Sequence, residues 1–98
     1  PVQTFELFDD EADAIRRANA TEFGLAASVF TVDTHRARRM ARSIEAGTLW
    51  MNCWGVVTEH MEESGLKQSG VGVLCGPRAI EQFQEIKVYV SVDPTQAA

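Results

Sequence analysis

The sequence predicts an α/β chain in the order β-α-β-α-β-loop-α-β, with at least partly parallel strands. Three observations predict it. Runs rich in β-branched and aromatic residues alternate with runs of helical period. Capping residues fall at the junctions, with Asp9 and Asp10 before one helical run and Asp33 or Thr34 before the next. The clearest periodicity places Ala37, Met40, Ala41 and Ile44 at i, i+3, i+4 and i+7.

Taken in order, residues 2–8, VQTFELF, alternate Phe5 and Leu7 with polar neighbours and predict a strand. Residues 11–20 set Ala14, Ile15 and Ala18 on one helical face, and Asn19, Thr21 and Gly24 mark its end. Residues 25–32, LAASVFTV, predict a buried strand. The second helix follows, with Gly47 where a C′ glycine is expected. Residues 48–53, TLWMNC, predict a third strand. Residues 54–76 predict a long irregular stretch, of a length that usually serves function. Pro77 suits the first turn of a short helix, with Ala79, Ile80 and Phe83 facing inward. Lys87 to Val92, KVYVSV, predicts a last strand, and 93–98 a frayed tail. Three short helices cover four strands thinly, and parallel sheets bury both faces. The segment is therefore expected to lean on other chain.

Of 98 residues, 45% are hydrophobic and 23% charged, as in ordinary globular chains, and the net charge is −5. Arg36, Arg38, Arg39 and Arg42 form one basic cluster, read as a solvated helix face and not as a nucleic-acid surface. No apolar run reaches the length of a membrane-spanning helix and no signal peptide is visible. The expected compartment is the cytoplasm. The start at Pro1 reads as a cut in a longer chain.

Cys53 and Cys75 are read as reduced and mostly structural: Cys53 ends an apolar strand, and Cys75 lies just before a helix but has no evident base. His60 lies among Glu59, Glu62 and Glu63, but one imidazole with loop carboxylates is not a metal spacing. Gly70-Val71-Gly72-Val73-Leu74-Cys75 nearly matches GxGxxG. Its third glycine is replaced where helix and strand must pack closely, and residues 58–69 are too polar for the buried strand that should precede it. Lys67 precedes the glycines, so a phosphate-binding GxxxxGK[ST] loop fails as well. Asn52, at a strand end, suits an amide that pins a neighbouring loop through backbone groups.

Five segments then fit together. AN-x-T-x-x-GLAA-x-VFT-x-D spans residues 18–33, G-T-x-W-x-N spans 47–52, and K-Q-S-G-x-G spans 67–72. With the opening PV and the closing FQEIKVYV, the chain resembles the C-terminal part of an aldehyde dehydrogenase from Pro1 to about Val92. The resemblance implies oxidation of aldehydes to carboxylic acids with NAD or NADP, through a cysteine thioester. It also implies that the nucleophile, its base, the oxyanion amide and the cofactor fold all precede this segment, so no catalytic residue is assigned here. Residues 1–86 would complete the catalytic domain, and Lys87 to Val92 would pair into a neighbouring subunit of a homo-oligomer.

By the same resemblance Gly55, Val57 and Glu63 fall at positions lining the aldehyde tunnel, and Leu25 approaches the cofactor. Asn52, Lys67 and Gly70 support the loop. Two motifs depart from the family's usual form. Its P-F-G-G-x-K is Glu62-Glu63-Ser64-Gly65-Leu66-Lys67, and its G-R-E-x-G is Gly72-Val73-Leu74-Cys75-Gly76. Glu59, Glu62 and Glu63 are either solvated loop carboxylates or an acidic mouth that favours cationic aldehydes. The rival class is a non-enzymatic assembly module. A free-standing NAD binder is a third reading.

Overall fold

A computed structural model describes residues 1–95. Its elements are α1 (Glu11–Asn19), β1 (Phe23–Gly24), β2 (Ala26–Val29), α2 (Thr34–Ser43), β3 (Thr48–Met51), β4 (Glu63–Ser64), β5 (Leu66–Lys67) and β6 (Val73–Leu74), followed by a 3-10 helix (Pro77–Phe83). The strands form three pairs. β2 and β3 run parallel with Ala26 opposite Thr48 and Val29 opposite Met51. β1 pairs antiparallel with β5, and β4 with β6.

Each α-helix begins on an aspartate. The Asp10 side chain accepts from the Asp13 amide at 2.8 Å, which ends the preceding extended run and starts α1. The Asp33 carboxylate accepts from the amides of His35 and Arg36 at 2.9 and 3.0 Å. Arg39 of α2 then grips Glu11 of α1 with two bonds, at 2.6 and 2.8 Å, so the helices are tied through a bidentate ion pair. The apolar face of α2 lies on the parallel pair. Ala37 is 2% exposed, Val29 7% and Trp50 9%, and these are the buried apolar side chains among the described residues.

That core is small for the chain. The radius of gyration is 20.9 Å, where a compact chain of this length has about 13 Å. The reason lies at both ends. The strand expected over residues 2–8 makes no strand pairing, and Val2, Phe5 and Leu7 stand in solvent. The strand expected over 87–92 is likewise unpaired, with Val88, Tyr89 and Val90 exposed. A strand needs an edge to bond to, and neither segment finds one among the described residues. Of the expected tail, 96–98 lies outside the described residues, and Asp93 accepts from the Thr95 amide at 2.9 Å in a turn.

Three other expectations change. Residues 54–76 are not wholly irregular, because they contain β4, β5 and β6. The helix expected over 77–86 is a 3-10 helix that ends at Phe83. Gly47 is not the C′ residue of α2, whose last turn closes on Ile44 with its amide bonded to the Met40 carbonyl at 3.0 Å. Gly47 is needed for close approach instead. A Cβ there would lie 1.6 Å from the Ser64 carbonyl oxygen, so only glycine lets β3 enter beside β4.

The carboxylates at the helix starts carry a pH dependence. The Arg39 guanidinium holds Glu11 below its ordinary value, and the Arg36 and His35 amides hold Asp33 below its own. A lowered folded value means these contacts contribute fully above the ordinary carboxylate range and are lost as pH falls through the lowered values. Helical circular dichroism is expected to stay level from neutral pH to that range and to fall below it. Added salt should weaken the Glu11–Arg39 share, since both groups are solvent-exposed.

Candidate functional site

The expected site residues gather around residues 52–70, which are fastened at both ends. At the first end, Asn52 takes a left-handed conformation with φ 56° just after β3. Its side chain there copies a strand residue. Oδ1 accepts from the Thr31 amide at 2.8 Å, and Nδ2 donates to the Thr31 carbonyl at 3.0 Å. The Asn52 backbone amide donates to the Val29 carbonyl at 2.8 Å. The β2–β3 ladder therefore continues through an amide side chain beyond the last strand residue.

The chain then turns back over Trp50. Gly55 has φ 71°, a conformation that only glycine adopts without cost, and Trp50 Nε1 donates to the Val56 carbonyl at 2.9 Å. The Trp54 ring lies tilted against Trp50 with centroids 6.4 Å apart. Val57 follows on the exposed side.

At the other end, Lys67 sits at φ 51° and Gly70 at φ 116°. The Lys67 ammonium donates to the carbonyls of Asn19 at 2.9 Å and Thr21 at 3.2 Å, and pairs with Glu45 at 2.6 Å. The Asn19 carbonyl closes α1, where the helix dipole favours a cation. The Gln68 amide donates to the Glu22 carbonyl at 2.9 Å, and the Gly24 amide to Ser69 Oγ at 2.8 Å. Leu25 follows directly, with its side chain exposed and its carbonyl accepting from the Thr48 amide at 3.1 Å.

The three loop carboxylates separate. Glu62 is engaged, since Oε1 accepts from the Arg78 amide at 3.1 Å and Oε2 lies 3.6 Å from the Arg78 guanidinium. The Gly76 amide donates to the Glu59 carbonyl at 2.9 Å, and the exposed Glu59 side chain lies 3.5 Å from His60. Glu63 is half-buried in β4 opposite Leu74 and has neither a hydrogen bond nor an ion pair from its side chain among the described residues. Glu45 and Arg78 were not singled out from the sequence, and Asn19 and Ser69 entered only as a helix end and a motif position.

Cys53 is half-buried and Cys75 exposed, and both are free thiols. No group of three metal-ligating side chains forms among the described residues. An open concavity of about 830 Å³ lies elsewhere, between residues 4–10, α1, α2 and the end of β2, and none of the expected site residues lines it. Its arginines are already paired, Arg17 with Asp13 at 2.8 Å and Arg36 with Glu11 at 3.4 Å. Ser28 Oγ is buried against it without a partner. No helix is long and apolar enough to cross a membrane among the described residues.

Residues 1–89 match the model of the Aldehyde dehydrogenase family. Betaine aldehyde dehydrogenase 1 of Rhizobium meliloti is 47% identical over 98 residues, which is 99% of this chain and 20% of that protein. The chain thus spans about a fifth of the length of the curated relatives it matches. Among solved structures, the NAD+ complex of an aldehyde dehydrogenase from Bacillus cereus superposes with a TM-score of 0.78 at 34% identity. The match covers 88% of this chain and 18% of that one. Betaine aldehyde dehydrogenase from Staphylococcus aureus in complex with NAD+ gives 0.75 at 36% identity, covering 78% of this chain and 15% of that one.

Replacing Asn52 tests the first fastening. Asn52→Gly keeps the left-handed backbone and removes both side-chain bonds. It should cost about 1 kcal/mol locally, read as roughly fivefold faster hydrogen exchange at the Thr31 amide.

Proposed function

The chain belongs to the aldehyde dehydrogenase family, and from that premise we propose that it serves as the C-terminal part of an enzyme that oxidises aldehydes to carboxylic acids with NAD or NADP. The observation that carries this reading is the loop 54–63. It is fastened by Asn52 at one end and by the Lys67 turn at the other, both of which belong to the motifs of the resemblance. Fixed ends suit a wall segment that must present side chains to a substrate in one geometry. Gly55, Val57 and Glu63 are proposed to face the aldehyde path, and Leu25 to lie toward the cofactor.

The residues of this chain do not fit a dinucleotide by themselves. The near-match 70–75 ends on Cys75 at φ 56° and leads into a 3-10 helix of 7 residues, not into a helix N-terminus that could face a pyrophosphate. The nucleotide is therefore assigned to the rest of a full-length protein, and so is the reactive thiolate. The exposed segments 2–8 and 87–92 support docking against other chain, and 87–92 is proposed as the strand that joins neighbouring subunits.

A cationic aldehyde is the proposed substrate class. Glu63 is the loop carboxylate left without a partner, and the curated relatives reported above are named for betaine aldehyde. Since Glu62 is held by Arg78, an acidic mouth would rest on Glu63 and on the exposed Glu59. The second reading, a non-enzymatic assembly module, is favoured by the changed motif residues Glu62, Glu63, Val73 and Leu74.

One set of assays separates these readings. The natural protein carrying these residues should form NADH or NADPH with an aldehyde, and the 98-residue chain alone should not. Absence of nicotinamide reduction by the natural protein would favour the module. In an active protein, Glu63→Phe should lower kcat/KM for a cationic aldehyde by about tenfold and leave a neutral one nearly unchanged.

A further inference from the structure

An ammonium has three donors, and Lys67 uses all of them. Its acceptors belong to different stretches of chain: the last carbonyl of α1 at Asn19, the turn at Thr21, and the α2–β3 connection at Glu45. Asn19 closes the arrangement. Its Nδ2 donates to the Ser43 carbonyl at 2.9 Å, and its Oδ1 accepts from the Glu45 amide at 2.8 Å. The same lysine stands in β5, whose pairing with β1 sets Phe23 opposite Lys67 and Gly24 opposite Leu66. Glu63 and Ser64 lie just before that strand, and Leu25 lies just after β1. The Ser64 carbonyl also sits against Gly47.

One side chain therefore ties together the segments that carry Leu25 and Glu63. We propose that Lys67 is a positioning residue that fixes the aldehyde-side loop relative to the cofactor-side segment. The proposal rests on the function proposed above. Lysine suits the place because three acceptors around one nitrogen match an ammonium better than the planar fork of arginine. Lys67→Met keeps the length of the stem and removes every donor. Lys67→Arg keeps the charge and should restore part of the effect.

The test uses the natural protein that carries these residues. In Lys67→Met, hydrogen exchange at the amides of Gly24, Glu45 and Gln68 should speed by about tenfold, with Lys67→Arg intermediate. The aldehyde KM should rise about tenfold while kcat stays within about twofold, since substrate is still converted but held less well. Arg38→Gln, on the exposed face of α2, should change neither quantity. If Lys67→Met does not fold, the Arg variant carries both readouts.

Unchanged exchange at the three amides overturns the clasp. Faster exchange with an unchanged KM overturns the positioning role. A wild-type protein that reduces no nicotinamide with any aldehyde overturns the functional reading, and the kinetic half of this proposal with it. Exchange alone then decides whether the clasp exists.

Discussion

The parallel register between β2 and β3 is the constraint on which the rest of this structure depends. Once Ala26 faces Thr48, Val29 and Trp50 fall where the apolar face of α2 can cover them. The same register brings Gly24 and Gly47 to the entry of the two strands, where the Gly47 amide donates to the Gly24 carbonyl at 3.1 Å. At the exit it aligns Asn52 with Thr31. A one-residue slip would turn each inward side chain outward and break the Asn52 pairing with it. The site loop is thus an extension of the ladder, not a separate feature attached to it.

The parts of the fold legible in the sequence are those whose causes are local. Asp10 and Asp33 cap helices through their own next turns, and the Ala37–Ile44 periodicity marks the face of α2 that packs. The short pairs β1–β5 and β4–β6 were not legible. Each joins two-residue segments far apart in the chain, and two residues give no period to detect. The terminal segments are a different case. Residues 2–8 and 87–92 carry strand composition, but composition does not supply the edge that a strand requires.

The site shows the same division. Asn52 stands out in the sequence as an amide at a strand end, and Lys67 as the lysine of a glycine-rich motif. Their partners do not stand out, because Thr31, Glu45 and the carbonyl of Asn19 have nothing in their own neighbourhoods that announces the contact. The glycines 65–76 look like a phosphate cradle when read as a string. In three dimensions they serve separate needs, with φ of 116° at Gly70 and 65° at Gly76, and Gly65 crowded against Ser69. The residues that depart from the family pattern are not idle either. Glu62 and Arg78 hold the loop to the start of the 3-10 helix.

The left-handed turn at Asn52 and the latch at Lys67 have an evolutionary consequence. Because both ends of the 53–66 stretch are secured by side chain to backbone bonds, the exposed side chains from Val57 to His60 can change without disturbing the scaffold beneath them. Gly55 and Gly70 have open space around them, with no heavy atom within 4 Å of a Cβ built at either, so neighbouring insertions would extend into solvent. Such a segment behaves as an exchangeable cassette. Changes there would alter what the loop presents while the frame beneath it stays the same.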